Sequence, residues 1–298
     1  MRIAARLAPA IALLLALAAC APVPRPTSDP LLRDMAAWQR ANHIIIGIPG
    51  ALSPVRVMAP LQELATPDRA VAFYRLPGFD GRPAEEFVNL DFAATHIARA
   101  AAATGARRVD LIGHSTGSAI ALEAAKMIRR SAPHVEVRVA AISTALPAPQ
   151  PVLAGARGAA GTLAAAIRAR GLSPRKVWLE YYRRLAYGPA ADTVPSVTRA
   201  ADALVSANEG RITLPANGLG RRHTRALRQW TNPDPAALHG VDVVLYHGAV
   251  DPVFPPRAVH RFARTLPDAE VQLIDGHGHL LLLTFPEVWA RIATQLNR

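Results

Sequence analysis

Short apolar runs alternate along the chain with longer amphipathic runs, and this alternation limits the possible fold more than any other feature of the sequence. Runs of four to eight apolar residues are typical of buried strands, and apolar positions at helical spacing are typical of amphipathic helices. The predicted strands are 43–48, 70–75, 108–112, 135–142, 241–246 and 270–274, and the predicted helices between them are 85–104, 116–130, 256–265 and 286–296. Such alternation predicts an α/β fold in which a mostly parallel sheet has helices on both faces.

Residues 147–238 interrupt this alternation. They contain no convincing strand, and their helix-like pieces lie at 163–170, 175–187, 197–207 and 221–230. We therefore expect a helical cap at 147–238 over an α/β core built from residues 31–146 and 239–298. A chain of 298 residues that is 51% hydrophobic and 19% charged can bury such a core, and this composition excludes a disordered protein.

Positive charge is concentrated in the predicted cap. The chain carries +12 overall, and residues 147–238 hold thirteen basic and five acidic residues. Three interpretations remain open: the cap rests on an anionic membrane, it attracts an anionic substrate, or its charge is solvated and partly paired. No nucleic-acid-binding motif is present, so nucleic acid is not an expected partner.

The first thirty residues resemble a bacterial lipoprotein leader. Residues 1–19 have a basic start and an apolar stretch too short to span a bilayer, and they end at Leu17-Ala18-Ala19-Cys20, which is similar to a lipobox. Cys20 is the only cysteine, so no internal disulfide can form. The resemblance implies removal of residues 1–19, lipidation of Cys20 and a Pro-rich tether at 20–30. Ala21 after the cysteine favours the outer membrane of the cell envelope.

The sharpest chemical motif is Gly113-His114-Ser115-Thr116-Gly117, which lies between a predicted strand and a predicted helix. A serine hydroxyl becomes a useful nucleophile when a tight turn exposes it and a base accepts its proton. The start of the helix also favours negative charge that develops beside the serine. Ser115 is therefore the candidate nucleophile.

Two later loops offer the partners that such a serine needs. Asp251 follows the strand at 241–246, and His277 and His279 follow the strand at 270–274. A histidine there could accept the serine proton, while an acid would orient the histidine. Asp242, at the wrong end of its strand, and Asp275, close in sequence to the histidines, are weaker candidates for the acid.

These motifs together resemble the α/β-hydrolase superfamily over about residues 40–298, apart from the cap. GHSTG at 113–117 is similar to the nucleophile elbow, GAVDPVFP at 248–255 to the acid loop, and GHGHLLLLTFPE at 276–287 to the histidine loop. The resemblance implies a triad of Ser115, Asp251 and His279. It selects His279 over His277 because the family pattern is Gly-x-Gly-His followed by Pro-Glu.

The resemblance also implies an oxyanion hole, although this sequence departs from the family near it. Pro49 stands where the family usually has histidine before a glycine, and Ser118 stands where many relatives have a second glycine. An oxyanion hole needs backbone N–H groups rather than that histidine side chain. The expected donors are therefore the backbone N–H groups of Ala51 and Thr116.

Three aromatic residues of the cap are candidate substrate contacts. Trp178, Tyr181 and Tyr182 share one face of a predicted helix because they are three and four residues apart. They could pack a lid helix on the core, form an aromatic wall for an acyl or aryl group, or do both.

The residues together predict a serine hydrolase that acts on carboxylic esters through an acyl-enzyme. Amide, thioester and carbon–carbon cleavage would use the same residues, so they stay open. The alternative function is a hydrolase-like lipoprotein without catalysis, which would bind a ligand or assist envelope assembly. No cofactor or metal is expected, because the sequence has no phosphate-binding or dinucleotide motif and its histidines lack metal-ligand spacing.

Overall fold

The computed structural model describes residues 29–297 except 87, 172, 213 and 215–217. The predicted leader at 1–19, Cys20 and most of the tether at 20–30 lie outside the described residues. No helix in the described part of the chain combines the length and apolar character needed to cross a membrane.

Within the described residues, seven strands form one sheet in the order β1-β3-β2-β4-β5-β6-β7. They are β1 Leu31–Arg33, β2 His43–Ile48, β3 Arg69–Tyr74, β4 Arg108–His114, β5 Glu136–Ile142, β6 Val241–Gly248 and β7 Glu270–Ile274. Strand β1 pairs antiparallel with β3, and every other neighbouring pair is parallel. All six predicted strands form, and the short edge strand β1 is the one that the sequence pattern missed.

Helices surround this sheet and also fill the segment between β5 and β6. They are α1 Met35–Arg40, α2 Leu90–Ala102, α3 Thr116–Ser131, α4 Gln150–Arg168, α5 Pro174–Tyr187, α6 Ala190–Thr193, α7 Pro195–Asn208, α8 Leu219–Gln229, α9 Pro256–Ala263, α10 Leu281–Thr284 and α11 Glu287–Leu296. The described residues also form two 3₁₀ helices, Val55–Leu64 between β2 and β3 and Pro235–Leu238 before β6. The mostly parallel α/β architecture expected from the sequence is confirmed.

The central strands are buried on both faces. Ile44, Ile45 and Ile46 of β2 are consecutive, so their side chains point to opposite faces of the sheet, and all three are fully buried. This explains why the strands are continuous apolar runs rather than alternating ones. Because β4, β6 and β7 run in the same direction, the loops that follow them meet at one edge of the sheet.

One predicted helix boundary is wrong by five residues. The helix expected at 85–104 begins at Leu90, because the Asn89 side chain accepts a hydrogen bond from the Phe92 N–H and caps the first turn. A side-chain oxygen at this position satisfies a backbone donor that has no partner within the helix.

The segment between β5 and β6 is helical, and its last part joins the core of the sheet. Leu227, Trp230 and Leu238 belong to the main buried cluster. The Trp230 indole N–H donates to Glu123 on α3 at 3.0 Å. The C-terminal part of the predicted cap therefore packs into the core of the sheet. The cap boundaries at 147 and 238 stay a prediction.

Candidate active site

Ser115 lies at a tight turn between β4 and α3. Its backbone has φ 50° and ψ −116°, a positive φ that is unfavourable for a residue with a side chain. A Cβ at Gly113 would lie 2.4 Å from the Gly117 carbonyl oxygen, and one at Gly117 would lie 2.1 Å from the Ile48 carbonyl oxygen. Both glycines of the motif are therefore required, because backbone packs directly against them.

The structure brings Ser115, His279 and Asp251 into one hydrogen-bonded chain. His279 Nε2 lies 2.9 Å from Ser115 Oγ, and His279 Nδ1 lies 2.8 Å from Asp251 Oδ2. In the tautomer that fits both contacts, Nδ1–H donates to the carboxylate and Nε2 accepts from the serine hydroxyl. All three residues are buried, with 5–7% of their surface exposed.

Asp251 is held as a carboxylate by the loop that it begins. Its Oδ1 accepts the backbone N–H groups of Val253 at 2.7 Å and Phe254 at 3.0 Å. Burial alone would raise the pKa of Asp251, but the positive charge and hydrogen bond that His279 supplies, with smaller contributions from His247 and Phe254, bring it below its usual value. The carboxylate can therefore stabilise a positive charge that develops on His279.

The weaker candidates lie outside this chain of contacts. His277 packs its ring against Tyr187 and Phe285, with centroid separations of 6.2 and 5.3 Å. Asp275 is exposed after β7. Asp242, at the start of β6, lies 3.9 Å from the Arg138 guanidinium.

The two predicted oxyanion donors lie in backbone that leaves their N–H groups available. Ala51 is inside a turn closed by a hydrogen bond from Ser53 N–H to Gly50 C=O, and Thr116 is the first residue of α3. Neither N–H donates to another described residue. A Cβ at Gly50 would lie 3.1 Å from Ser115 Cβ, so this turn packs directly on the nucleophile.

Ser118 supports the elbow, a role that the sequence did not predict. Its hydroxyl donates to the Ser115 carbonyl at 2.5 Å, lies 2.7 Å from Thr144 Oγ1, and accepts the Ala145 N–H at 3.1 Å. The only sequence signal was a serine where many relatives have glycine. Its hydroxyl ties the nucleophile's backbone to the loop after β5.

His114 connects the elbow to the histidine loop. Its Nε2–H donates to the His279 carbonyl at 3.1 Å, whereas its buried Nδ1 has no partner among the described residues. Burial, together with the nearby charge of His279, lowers the pKa of His114 to about 3, so this ring is neutral. His114 is therefore a positioning residue for the backbone of His279.

Helix α5 holds the same loop from the other side. Its Leu185 carbonyl accepts the His279 N–H, and its Ala186 carbonyl accepts the Gly278 N–H, both at 2.7 Å. These two carbonyls belong to the last turn of a helix, where they have no partner within the helix. The N–H groups of the histidine loop thus give hydrogen-bond partners to the last carbonyls of α5, a helix of the predicted cap.

The three aromatic candidates divide between two environments. Trp178 and Tyr182 line a cleft of about 130 Å³ together with Leu52, which follows Ala51. Tyr181 instead packs against α4, where a Cβ at Gly161 would lie 2.7 Å from its ring. Burial, and secondarily the charge of Asp251, raise the pKa of Tyr181 to about 12.

In the described part of the chain, no cluster of three or more His, Cys, Asp or Glu side chains could hold a metal ion. The chemistry that the described arrangement can perform is nucleophilic attack by a serine, assisted by a histidine and a buried carboxylate.

A family model described as the alpha/beta hydrolase family matches residues 45–292. The match contains both loops and the elbow, as well as the segment between β5 and β6. No curated protein matches the sequence.

Solved structures of esterases and a lactonase share the fold. A thermophilic esterase from Thermogutta terrifontis is 19% identical, with 91% of this chain and 96% of that chain covered and a TM-score of 0.62. A structure from a study of carboxylesterases of Nitrososphaera gargenis is 18% identical, with 91% of this chain and 97% of that chain covered and a TM-score of 0.63. The enol-lactonase from Burkholderia xenovorans LB400 is 15% identical, with 90% of this chain and 96% of that chain covered and a TM-score of 0.64. At these identities the similarity establishes the fold.

Proposed function

Because the chain belongs to the alpha/beta hydrolase family, we propose that it is a serine hydrolase that cleaves carboxylic esters through a covalent acyl-enzyme. The observation that carries this proposal is the continuous hydrogen-bonded chain from Ser115 through His279 to Asp251, with distances of 2.9 and 2.8 Å. An activated serine requires a base within hydrogen-bond reach and an acid that orients the base.

The proposed reaction has two halves. Ser115 Oγ attacks the ester carbon while His279 Nε2 takes the hydroxyl proton, and the N–H groups of Ala51 and Thr116 stabilise the oxyanion. His279 then gives the proton to the leaving alcohol. Water attacks the acyl-enzyme in the second half, with His279 again as the base, and releases the acid. Asp251 keeps the imidazole in the reactive tautomer throughout.

The test is labelling of the full-length protein in detergent with a fluorophosphonate probe, which reacts with activated serines. We expect labelling of the wild type, none of Ser115→Ala, and none of His279→Ala. Asp251→Asn is expected to lower kcat for a simple ester by about 10⁴, because the histidine would be held in the wrong tautomer.

Two matched variants control for unrelated damage. Ser131→Ala removes an exposed serine at the end of α3, and Asp275→Asn removes the exposed rival acid, so both should label like the wild type. Labelling that persists in Ser115→Ala would contradict the assigned nucleophile. A folded wild type that stays unlabelled with and without anionic vesicles would favour a ligand-binding protein without catalysis.

We also propose that the protein is a lipoprotein of the bacterial cell envelope, attached through Cys20 to the outer membrane. The support is the lipobox-like leader, the single cysteine at the required position and the Pro-rich tether. An exposed apolar face on α4, in the most basic segment of the chain, supports contact between the cap and lipid. There Val152 is 49%, Leu163 64% and Ile167 72% exposed.

A further inference from the structure

We infer that the protein stands on its membrane with the carboxyl edge of the sheet, where the parallel strands end and Ser115 lies, toward the lipid. Two contacts hold it there: the tether that follows Cys20, and an exposed apolar face of α4 that rests on an anionic leaflet. The inference rests on the proposed lipoprotein attachment. It adds to that proposal the side of the body that meets the bilayer.

The tether joins the body at the carboxyl edge. Leu31, the first residue of β1, pairs antiparallel with Tyr74, the last residue of β3. Strand β3 is parallel to β2, and β2 is parallel to β4. Tyr74 and Ser115 therefore lie at the same edge of the sheet, and the chain before Leu31 emerges on the side where the loops of the triad meet.

The start of the body is held at this edge by Asp29, the first described residue. The Asp29 carboxylate forms an ion pair with Arg33 at 2.9 Å and lies 3.1 Å from His96 Nε2. Its backbone carbonyl accepts a hydrogen bond from the Arg75 guanidinium, directly after β3. The point from which the tether extends is thus fixed by contacts within the body.

The length of the tether limits which side of the body can meet the bilayer. Residues 21–28 separate Cys20 from Asp29. A fully extended chain spans at most about 3.6 Å per residue, so lipid on Cys20 lies within about 30 Å of Asp29. A folded chain of this size has a radius of gyration of about 18 Å and is roughly 45 Å across. With the opposite, amino edge on the bilayer, Asp29 would lie farther from the lipid than the tether reaches.

Helix α4 lies over the same edge, beside the loop that carries the proposed acid. Arg157 Nη1 of α4 donates to the Val253 carbonyl at 3.0 Å, and the Val253 N–H donates to Asp251. In the sheet, β4 with Ser115 lies between β1 and β5, and the chain enters α4 after β5. Strands β1 and β5 are four strand spacings apart, about 19 Å, which is within the reach of the tether. The two contacts therefore lie on either side of the proposed nucleophile.

The outer face of α4 is apolar and exposed. Val152, Leu163 and Ile167 are 49%, 64% and 72% exposed, and Ala156 and Ala159 between them are exposed as well. These five residues, the α4 stripe, follow one another at intervals of three or four and so share one face of the helix. A continuous apolar face of this kind marks an interaction surface.

The charge around the α4 stripe fits an anionic partner. Helix α4 contains two arginines and no acidic residue. Arg170, just after the helix, is exposed, as is Arg228, whose guanidinium would lie 3.8 Å from a Cβ at Gly155 of α4. The five acids of residues 147–238 can neutralise no more than five of the thirteen cations there. Such a surface favours an anionic leaflet over a second, equally basic copy of this chain.

The test places a fluorophore on the α4 stripe of the full-length, lipidated protein. Cys20 is the only cysteine and its thiol carries the lipid, so Leu163→Cys supplies the one site for a thiol-reactive, polarity-sensitive dye. Ser131→Cys is the matched control, because Ser131 is exposed at the end of α3, at the amino edge of the sheet. Both proteins are reconstituted in vesicles of phosphatidylcholine with and without phosphatidylglycerol.

We expect the dye at position 163 to shift its emission to shorter wavelength and to be quenched by lipids with spin-labelled acyl chains. The dye at position 131 should show neither effect. Phosphatidylglycerol should increase the shift, and salt should reduce that increase. In the Leu163→Cys protein, Ile167→Ser should reduce the quenching, whereas Leu273→Ser, the same kind of change at an exposed apolar residue of β7, should leave it intact. Circular dichroism would establish that each variant is folded.

Equal quenching at the two positions, or none at either, would overturn the inferred orientation. A shift at position 163 that arises without vesicles and grows with protein concentration would assign the α4 stripe to a second copy of the chain and overturn it too. Quenching that is the same without phosphatidylglycerol would reject the anionic leaflet. None of these results depends on turnover, and fluorophosphonate labelling of the same preparations tests the esterase separately. A mass spectrum of the N-terminal peptide without lipid would instead reject the attachment on which the inference rests.

Discussion

The ring, the backbone N–H and the backbone carbonyl of His279 are each held by neighbouring residues. Its ring contacts Ser115 and Asp251, its N–H donates to the Leu185 carbonyl, and its carbonyl accepts from His114. These contacts keep the imidazole in reach of both the nucleophile and the acid. Such positioning matters because a small displacement of a catalytic group greatly lowers the reaction rate. At the residue scale, the site thus depends on side chains beyond the three that the motifs identify.

The burial of neutral His114 predicts a loss of stability in acid. Its pKa is lowered to about 3 in the folded protein, whereas the unfolded chain takes up the proton near 6.5. The stabilising contribution is complete above pH 6.5 and is lost as the pH falls toward about 3, since only the unfolded state binds the proton in that window. One such proton changes the free energy of unfolding by about 1.4 kcal/mol per pH unit.

Urea unfolding between pH 7 and pH 4 would check this prediction. Burial also lowers the pKa of His223, to about 4, and the pKa of His247. The free energy of unfolding of the wild type should therefore fall with decreasing pH more steeply than one proton alone would cause. His114→Gln should reduce that slope by up to one proton. His134→Gln changes an exposed histidine and should leave it as it is. Identical slopes in all three proteins would show that His114 is not buried in its neutral form.

At the scale of elements, the end of α5 and the histidine loop are built to fit each other. A Cβ at Gly278 would lie 2.5 Å from the Leu185 carbonyl oxygen and 2.8 Å from that of Ala186. The acid loop makes a similar contact, since a Cβ at Gly188 after α5 would lie 2.5 Å from the Val250 carbonyl oxygen. This helix of the predicted cap therefore supports both loops that hold His279 and Asp251.

Gly278→Ala is expected to lower kcat for a simple ester by about 10², because the backbone carbonyls cannot move aside and the histidine loop must shift. Gly171→Ala is the matched control, since a Cβ there meets no described atom within 4 Å. Circular dichroism and thermal unfolding would establish that both variants are folded at the assay temperature. A kcat for Gly278→Ala within twofold of the control would show that this contact does not position His279.

At the scale of the whole molecule, charge and apolar surface coincide in one segment. The residues between β5 and β6 hold most of the excess positive charge, although Arg168, Arg183 and Arg184 are paired with acids in the same segment. Each residue of an α-helix is rotated by about 100° around the helix axis. Val152, Leu163 and Ile167 of α4 therefore lie within about 60° of one another around that axis, on one face of the helix. An exposed apolar stripe with basic surroundings is typical of a helix that lies on a membrane surface.

Cys20→Ser is expected to remove the lipid and move the protein from the membrane fraction to the soluble fraction. Metabolic labelling with palmitate and fractionation of cells would measure both effects, with Ser115→Ala as a control that keeps Cys20. Any Cys20→Ser protein that stays bound should be released by high salt if the basic segment contacts anionic lipid. Palmitate incorporation that is equal in Cys20→Ser and the wild type would contradict the lipoprotein proposal.

The sequence determined the parallel core and the motifs of the candidate site because both depend on local patterns. A buried strand such as His43–Ile48 is a continuous apolar run, and the turn at Ser115 needs glycines at fixed positions on each side. The antiparallel strand Leu31–Arg33 was missed because three residues carry no period, and its pairing with β3 is a contact between distant segments.

Only the tertiary structure decided which groups meet across the chain. Ser115 and His279 are separated by 164 positions, and sequence pattern alone left His277 and His279 as alternatives until the family resemblance separated them. Three contacts had no local signal in the sequence: the hydrogen bond between the Ser118 and Thr144 hydroxyls, the one from the His279 N–H to the Leu185 carbonyl, and the cleft that Leu52 shares with Trp178. Local propensity and periodicity act over a few residues, whereas these contacts arise when the sheet and its helices bring distant loops to one edge.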